Sequence, residues 1–270
     1  MAREPLSFHT VLGTSTATTI TLLDKDLARD LMGNFSLSEL AYWMVTEQQP
    51  TRGQGRLVDA CLLALADHGF TPTALATRLT YLSAPDSIQG ALAAGLLGGG
   101  SRFLGVTEDC GRFLADAIEG LERVPEDDPG WDEVALGLVR ATRAAGAFVP
   151  GLGHHVHKDG DPRTPRIFAI AQEEGVGGNA LALFAAIGRT HEQVLGKKLP
   201  LNGAGVVGAA LVDLGIPVDL LRGFALLARS AGLLGQLAEE RRRPMAMETF
   251  LHIDQNAIPT RPNGEGHVRD

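Results

Sequence analysis

Aromatic residues are scarce in this chain: Phe, Trp and Tyr together make up 5% of it. A β-sandwich packs on aromatic and β-branched side chains, so the scarcity points to close-packed helices with a core of Leu, Ala, Val and Ile. Cysteine is scarcer still. The two present, Cys61 and Cys110, both lie in apolar helical patterns, which excludes a disulfide framework and points to a reducing compartment. Positive charge is in deficit: 24 Lys and Arg against 32 Asp and Glu leave a net charge of −8, with a pI of about 5.5. That argues against a nucleic-acid surface. Long apolar runs are missing as well. The longest, Ile88 to Gly100, is too short and too glycine-rich to span a bilayer, so no membrane partner is expected. No basic stretch followed by an apolar run opens the chain, so no signal peptide is expected. The expected location is cytoplasmic.

What remains is ample for a core: 44% of the residues are hydrophobic. The 33 glycines are many for a helical chain and suggest tight helix–helix or backbone–ligand approach. Thr14 to Leu23 reads as a short strand or hairpin, and helical patterns begin at Asp24. Ser36-Leu37-Ser38-Glu39 is a capping box opening a helix to about Glu47. Further helices are predicted over Gly53–His68, Thr71–Ser83, Ser87–Leu97, from Thr107 to before Pro125, over Trp131–Gly146 and Arg163–Glu174. The last three are Asn179–Leu195, Leu199–Gly215 and Val218–Arg241. The tail from Pro244 reads as an arm that wraps a neighbour or frays. The fold class is all-α.

Chemistry concentrates in the loop Val149 to Arg163. Gly151, Gly153 and Gly160 permit positive φ and close backbone approach. His154, His155, His157, Lys158 and Arg163 crowd one short stretch. Histidine moves protons near neutral pH, and the arginine fork grips carboxylates. Arg229 sits in an otherwise apolar helix, Phe224 to Leu237, where a buried guanidinium is rare without an anion. His68 falls at a helix C-terminus, where it either caps the helix or binds a ligand. Arg241-Arg242-Arg243 reads as a solvated helix end, with a role near a phosphate-bearing ligand as the alternative. His155 and His157 are followed by no third ligand at useful spacing, so no metal is expected.

These residues carry a resemblance. Pro150-Gly151-Leu152-Gly153-His154 followed by Asp161-Pro162-Arg163 resembles the signature loop of the citrate synthase family. Leu65-Ala66-Asp67-His68 resembles the family's Ala-Asp-His segment. Ser101 to Glu108 sits at its His-Gly-Gly-Ala-x-Glu element, Leu201 to Gly208 at its Asn-x-Asp-x-x-x-Gly element, and Ala228 to Gly232 at an arginine-bearing helix. The likeness runs from about Asp24 to Arg241 and is greatest to short citryl-CoA lyase-like members.

The resemblance implies roles. His154 would meet the carbonyl or hydroxyl oxygen of oxaloacetate or citrate and act as the base for citryl-CoA cleavage. His68, Arg163 and Arg229 would bind the carboxylates. Backbone at Val149, Gly151, Leu152 and Gly153 would hold coenzyme A, present as a CoA ester substrate rather than a resident cofactor. Two departures stand out. Phe103 replaces the histidine that bonds the enol, and Ala204 replaces the catalytic aspartate; both are expected to be core. Ser101, Arg102, Glu108 and Asn202 are the accessory candidates for the enolate. The implied architecture is a large helical domain, 1–108 and 199–270, with a smaller one, 109–198, inserted. The ligand would lie between them in a homodimer or higher oligomer. The expected reaction is cleavage of citryl-CoA, or a related ester, to acetyl-CoA and oxaloacetate. The alternatives are other chemistry on a hydroxy-polycarboxylate or CoA ester, or a non-catalytic citrate- or CoA-binding homologue.

Overall fold

The computed structural model describes residues 7–258. It opens with a small antiparallel sheet. Strand β1 (Gly13–Ser15) pairs with β2 (Ile20–Leu22), placing Gly13 opposite Leu22, and β2 pairs with β3 (Lys25–Asp26). The hairpin stands where the threonine-rich stretch predicts it. The helix expected from Asp24 does not form. Leu23 and Asp24 hold positive φ of 51° and 60° and turn the chain into β3. Only a π-type turn, Leu27–Leu31, follows, with the Asp26 side chain accepting from the Arg29 amide at its start.

Eleven α-helices follow among the described residues: α1 (Leu37–Thr46), α2 (Arg52–Leu65), α3 (Pro72–Ser83), α4 (Ile88–Leu97), α5 (Val106–Glu119), α6 (Asp128–Ala144), α7 (Arg163–Glu174), α8 (Asn179–Leu195), α9 (Gly203–Asp213), α10 (Leu221–Arg242) and α11 (Ala246–Gln255). None is long and apolar enough to cross a membrane. The predicted capping box is present: Ser36 and Glu39 satisfy each other's backbone amides at the start of α1. Thr71 caps α3, with Pro72 in its first turn.

The chain forms two compact units, Met1–Ala64 with Val106–Phe224, and Leu65–Gly105 with Ala225–Asp270. These breaks fall elsewhere than at 108/109 and 198/199. The reason is α9, which packs on α5, α7 and α8, so residues on either side of 198 share one core. In this first unit that core includes Leu57, Cys61, Cys110, Leu114, Phe184, Ile187, Val207 and Leu211, all fully buried. Burial pushes the Cys61 thiol up to about 12 and raises that of Cys110 as well; both are inert packing groups.

Two polar side chains fasten the first unit across sequence. Asp213, at the end of α9, accepts the backbone N–H groups of Gly178, Ala180 and Leu181 at 2.8–2.9 Å, closing the start of α8. Burial raises its carboxyl and those three bonds partly pull it back. His191, 1% exposed, bonds the Ile187 carbonyl through Nδ1 at 2.9 Å. Its Nε2 accepts from the Leu199 amide at 2.8 Å. The histidine thus pins the stretch leading into α9.

The second unit is built from α3, α4, most of α10, and α11, which packs on α3. The tail from Pro244 is therefore helical at Ala246–Gln255 rather than a loose arm; residues 259–270 lie outside the described residues. Its start is satisfied at a distance, by Glu240 Oε1 accepting from the amides of Met245 and Ala246 at 3.0 and 2.9 Å. Gly232 lets α10 lie backbone to backbone on the main chain at Ala66, because a Cβ there would strike the Ala66 carbonyl.

Candidate functional site

In the first unit the site is a loop pressed onto the start of a helix. Gly151, at φ 83°, has no room for a side chain: a Cβ would lie 2.7 Å from the Phe184 ring and 2.9 Å from Cys110 Sγ. Gly205 faces it from α9. The approach is locked by a short bridge. Gly153 donates its N–H to the Pro200 carbonyl at 2.7 Å, and Asn202 donates its own to the Gly151 carbonyl at 2.9 Å. Asn202 does two more things. Its Oδ1 accepts from the Gly205 amide at 2.8 Å, capping α9, and its Nδ2 donates to the Gly153 carbonyl at 2.9 Å. The polar backbone at Gly151 and Gly153, expected to face coenzyme A, is thus engaged by residues 200–202.

His154 follows directly. Its Nδ1 accepts the amides of Val156 and His157 at 3.1 and 3.0 Å. A ring nitrogen that accepts carries no proton, so the neutral ring bears its hydrogen on Nε2. The His155 ring stacks on it at 4.6 Å, and the His157 ring lies at 4.5 Å. Desolvation first, then these two imidazoles, push the pKa of His154 down to about 4. The geometry favours a donor over the general base expected for His154. Its basic nitrogen is occupied and its proton affinity is low. At neutral pH it is an uncharged Nε2–H donor.

Asp161 and Arg163 form the second half of the loop. The guanidinium meets the carboxylate as a fork, Nε to Oδ1 at 2.9 Å and Nη2 to Oδ2 at 2.7 Å. Nη1 donates to the Ala64 carbonyl at 3.0 Å. Asp161 also accepts the Gly203 amide at 2.7 Å, at the start of α9, where the helix dipole favours an anion. Burial works to raise the Asp161 carboxyl, but the bonds from Arg163 and Gly203 outweigh it and hold the group far below the usual carboxylate range. Arg163 is thus anchored by an internal carboxylate, a partner the sequence reading did not assign.

The second unit holds the other two predicted residues. Arg229 is 5% exposed. Its Nε and Nη2 donate to the Leu65 carbonyl at 3.3 and 3.2 Å, and its Nη1 to the Thr71 and Thr73 hydroxyls at 3.1 and 3.4 Å. It therefore ties α10 to both ends of the turn that carries the half-buried His68. Asp67 accepts the Gly69 amide at 2.9 Å within that turn.

The accessory candidates divide. Ser101 and Arg102 are exposed in the turn before α5. Glu108 is committed to ion pairs with Arg222 at 2.9 Å and Arg112 at 3.2 Å. Asn202 is the cap described above. Phe103 is 49% exposed and Ala204 partly exposed, so neither is the core residue expected. Phe103 lies in an irregular turn, and Ala204 in the first turn of α9, positions that helical periodicity does not bury.

The fold and loop define a class: an all-helical protein in which a glycine-hinged loop, bridged to a helix N-terminus, presents an imidazole beside a buried aspartate paired with a half-buried arginine. Residues 12–248 match the family model described as citrate synthase, C-terminal domain. The chain belongs to the citrate synthase family. The structure of citryl-CoA lyase from Hydrogenobacter thermophilus is similar at a TM-score of 0.82 and 26% identity, covering 94% of each chain. That of ATP citrate lyase from Methanothrix soehngenii, in complex with citrate and coenzyme A, matches 98% of this chain and 44% of its own. Its TM-score is 0.77 at 21% identity, a likeness of fold. ATP-citrate synthase beta chain protein 2 of Arabidopsis thaliana is 25% identical over 206 residues, 69% of this chain and 31% of its own length. The chain thus spans about a third of that curated relative.

Proposed function

We propose that the chain is a citryl-CoA lyase-like enzyme that cleaves citryl-CoA, or a related hydroxy-polycarboxyl CoA ester, to acetyl-CoA and oxaloacetate. The observation that carries this reading is the likeness to a citryl-CoA lyase over nearly the whole of both chains. In the reaction the tertiary hydroxyl gives its proton to water and the C–C bond to the thioester-bearing carbon breaks. The hydroxyl oxygen becomes the ketone of oxaloacetate, and the electron pair passes into the thioester enolate. That enolate takes a proton at carbon to give acetyl-CoA. His154, as an Nε2–H donor, stabilises the charge on the oxygen that becomes the ketone. His68 and Arg229 bind carboxylates, and so does Arg163 through the N–H groups that neither Asp161 nor the Ala64 carbonyl takes. The loop at Val149, Gly151, Leu152 and Gly153 receives the CoA moiety. With Phe103 and Ala204 at the enolate end, water and the polar groups of Ser101, Arg102 and Asn202 are left to exchange its proton, which makes turnover slow. The working form is a homodimer or higher oligomer, checked by light scattering.

A second reading is favoured by Phe103 and Ala204 themselves: a citrate- or CoA-binding homologue without turnover. One assay separates the two. Purified protein is mixed with citryl-CoA, and acetyl-CoA and oxaloacetate are quantified. Equal amounts of both products, falling ~10²–10³-fold in His154→Ala, support the lyase. Binding of citrate and CoA by calorimetry without product supports the second reading. Neither product nor binding removes both.

A further inference from the structure

A line of hydrogen bonds in the second unit runs from α11 to the turn that carries His68. Glu240 Oε1 holds the first amides of α11, and its Oε2 accepts from Arg78 Nη1 at 2.9 Å. Arg78 is 1% exposed, the largest fully buried side chain among the described residues. It also bonds Glu239 through Nη2, stacks over the Phe70 ring at 5.2 Å, and donates from Nε to Gln236 Oε1 at 2.8 Å. Arginine has donors only, so this last bond orients the amide of Gln236: Oε1 faces Arg78 and Nε2 faces the other way. Nε2 then donates to Asp67 Oδ1 at 2.9 Å, while Asp67 Oδ2 accepts the Gly69 amide at 2.9 Å. His68 is the residue between these two anchored neighbours. The main chain there leaves α2 at Leu65 and turns through Gly69 at φ 72° before α3 begins.

We propose that Gln236 is a positioning residue for His68, and that the relay Glu240–Arg78–Gln236–Asp67 couples the seating of α11 to that histidine. Glutamine is the residue type the relay requires. A carboxylate at 236 accepts from Arg78 but has no hydrogen to give Asp67. An apolar side chain leaves both the Arg78 Nε and the Asp67 Oδ1 without this partner. The proposal deepens the functional reading, and rests on it only for the identity of the ligand that His68 meets.

The test uses the full chain carrying histidine labelled with carbon-13 at the ring, His68 being assigned through His68→Asn. Gln236→Glu breaks the middle of the relay and Glu240→Gln weakens its far end; melting temperatures confirm that each variant is folded. The His68 ring resonance and its titration midpoint shift in both variants, more in Gln236→Glu, while the buried His191 of the first unit stays in place. Citrate affinity, read by calorimetry, falls ~5–10-fold in Gln236→Glu. If Gln236→Glu does not fold, Gln236→Met is read the same way. A His68 resonance identical to wild type in either folded variant overturns the relay. Failure of the wild-type chain to bind citrate overturns the functional reading alone, because the His68 resonance is measured without ligand.

Discussion

Arg163 and Arg229 were both expected to grip carboxylates, and the two units hold them by different chemistry. In the first unit Arg163 is forked onto a buried carboxylate, which is itself fixed by the amide that opens α9. In the second, Arg229 binds a main-chain carbonyl and two threonine hydroxyls at the turn between α2 and α3. Arg163 is fixed by opposite charge, and the bonds from Arg229 to this turn go to neutral oxygens. The difference teaches that the first unit's arginine is also structural: it ties the signature loop to α9 with an ion pair whose loss leaves a half-buried guanidinium without its carboxylate. The second unit's arginine ties a turn with bonds of ordinary strength.

The largest expected effect follows from that contrast. Asp161→Ala destabilises the protein by about 3–5 kcal/mol in chemical denaturation, whereas Arg229→Met costs about 1–3 kcal/mol. Equal costs would break the comparison. Next comes a gain of function. Ala204→Asp puts a carboxylate in the first turn of α9, and turnover of citryl-CoA should rise ~10²-fold; an unchanged rate would show that the proton at the enolate end is handled without that position. Gly232→Ala then tests the second unit's close approach. The added methyl meets the Ala66 carbonyl, and the expected loss is about 1–3 kcal/mol, again read from denaturation curves.

The smallest effect is a pH dependence confined to the first unit. His154 is held near 4 in the folded chain against an ordinary value of 6.5. Between those values the unfolded chain binds more protons, so stability is fully present above about pH 6.5 and falls as the pH drops toward 4. His154→Gln should flatten that part of the stability–pH curve; an unaltered slope would show that His154 is not the group responsible.

Much of this was legible in the residues. The Ser36–Glu39 box, the Thr71-Pro72 start and the span of α8 follow from local signals, because caps and a 3.6-residue repeat act over one or two turns. The family loop was legible because its glycines and charged residues occur at fixed spacing. What escaped was non-local. α11 was read as an arm because its cap comes from Glu240 on another helix. Its faces also gave no clean pattern, with Met247, Phe250 and Ile253 all about half exposed or more. Asp161 was read as part of a motif, although its partner and its helix terminus can only be seen folded. Arg78 and Gln236 carried no signal, since a buried arginine in Pro72–Ser83 looks like a surface charge until Glu239 and Glu240 are placed beside it. His154 stood out as a candidate, but its hydrogen bonding did not, because which ring nitrogen the loop's own amides occupy is seen only in the folded chain.

The proposed function assigns polycarboxylate binding to His154 in the first unit and to Arg229 in the second. Calorimetric titration of citrate into wild type, His154→Ala and Arg229→Met tests it most directly. The account predicts that wild type binds and that each variant, still folded, binds at least ~10-fold more weakly. Wild-type affinity retained in either folded variant would contradict it.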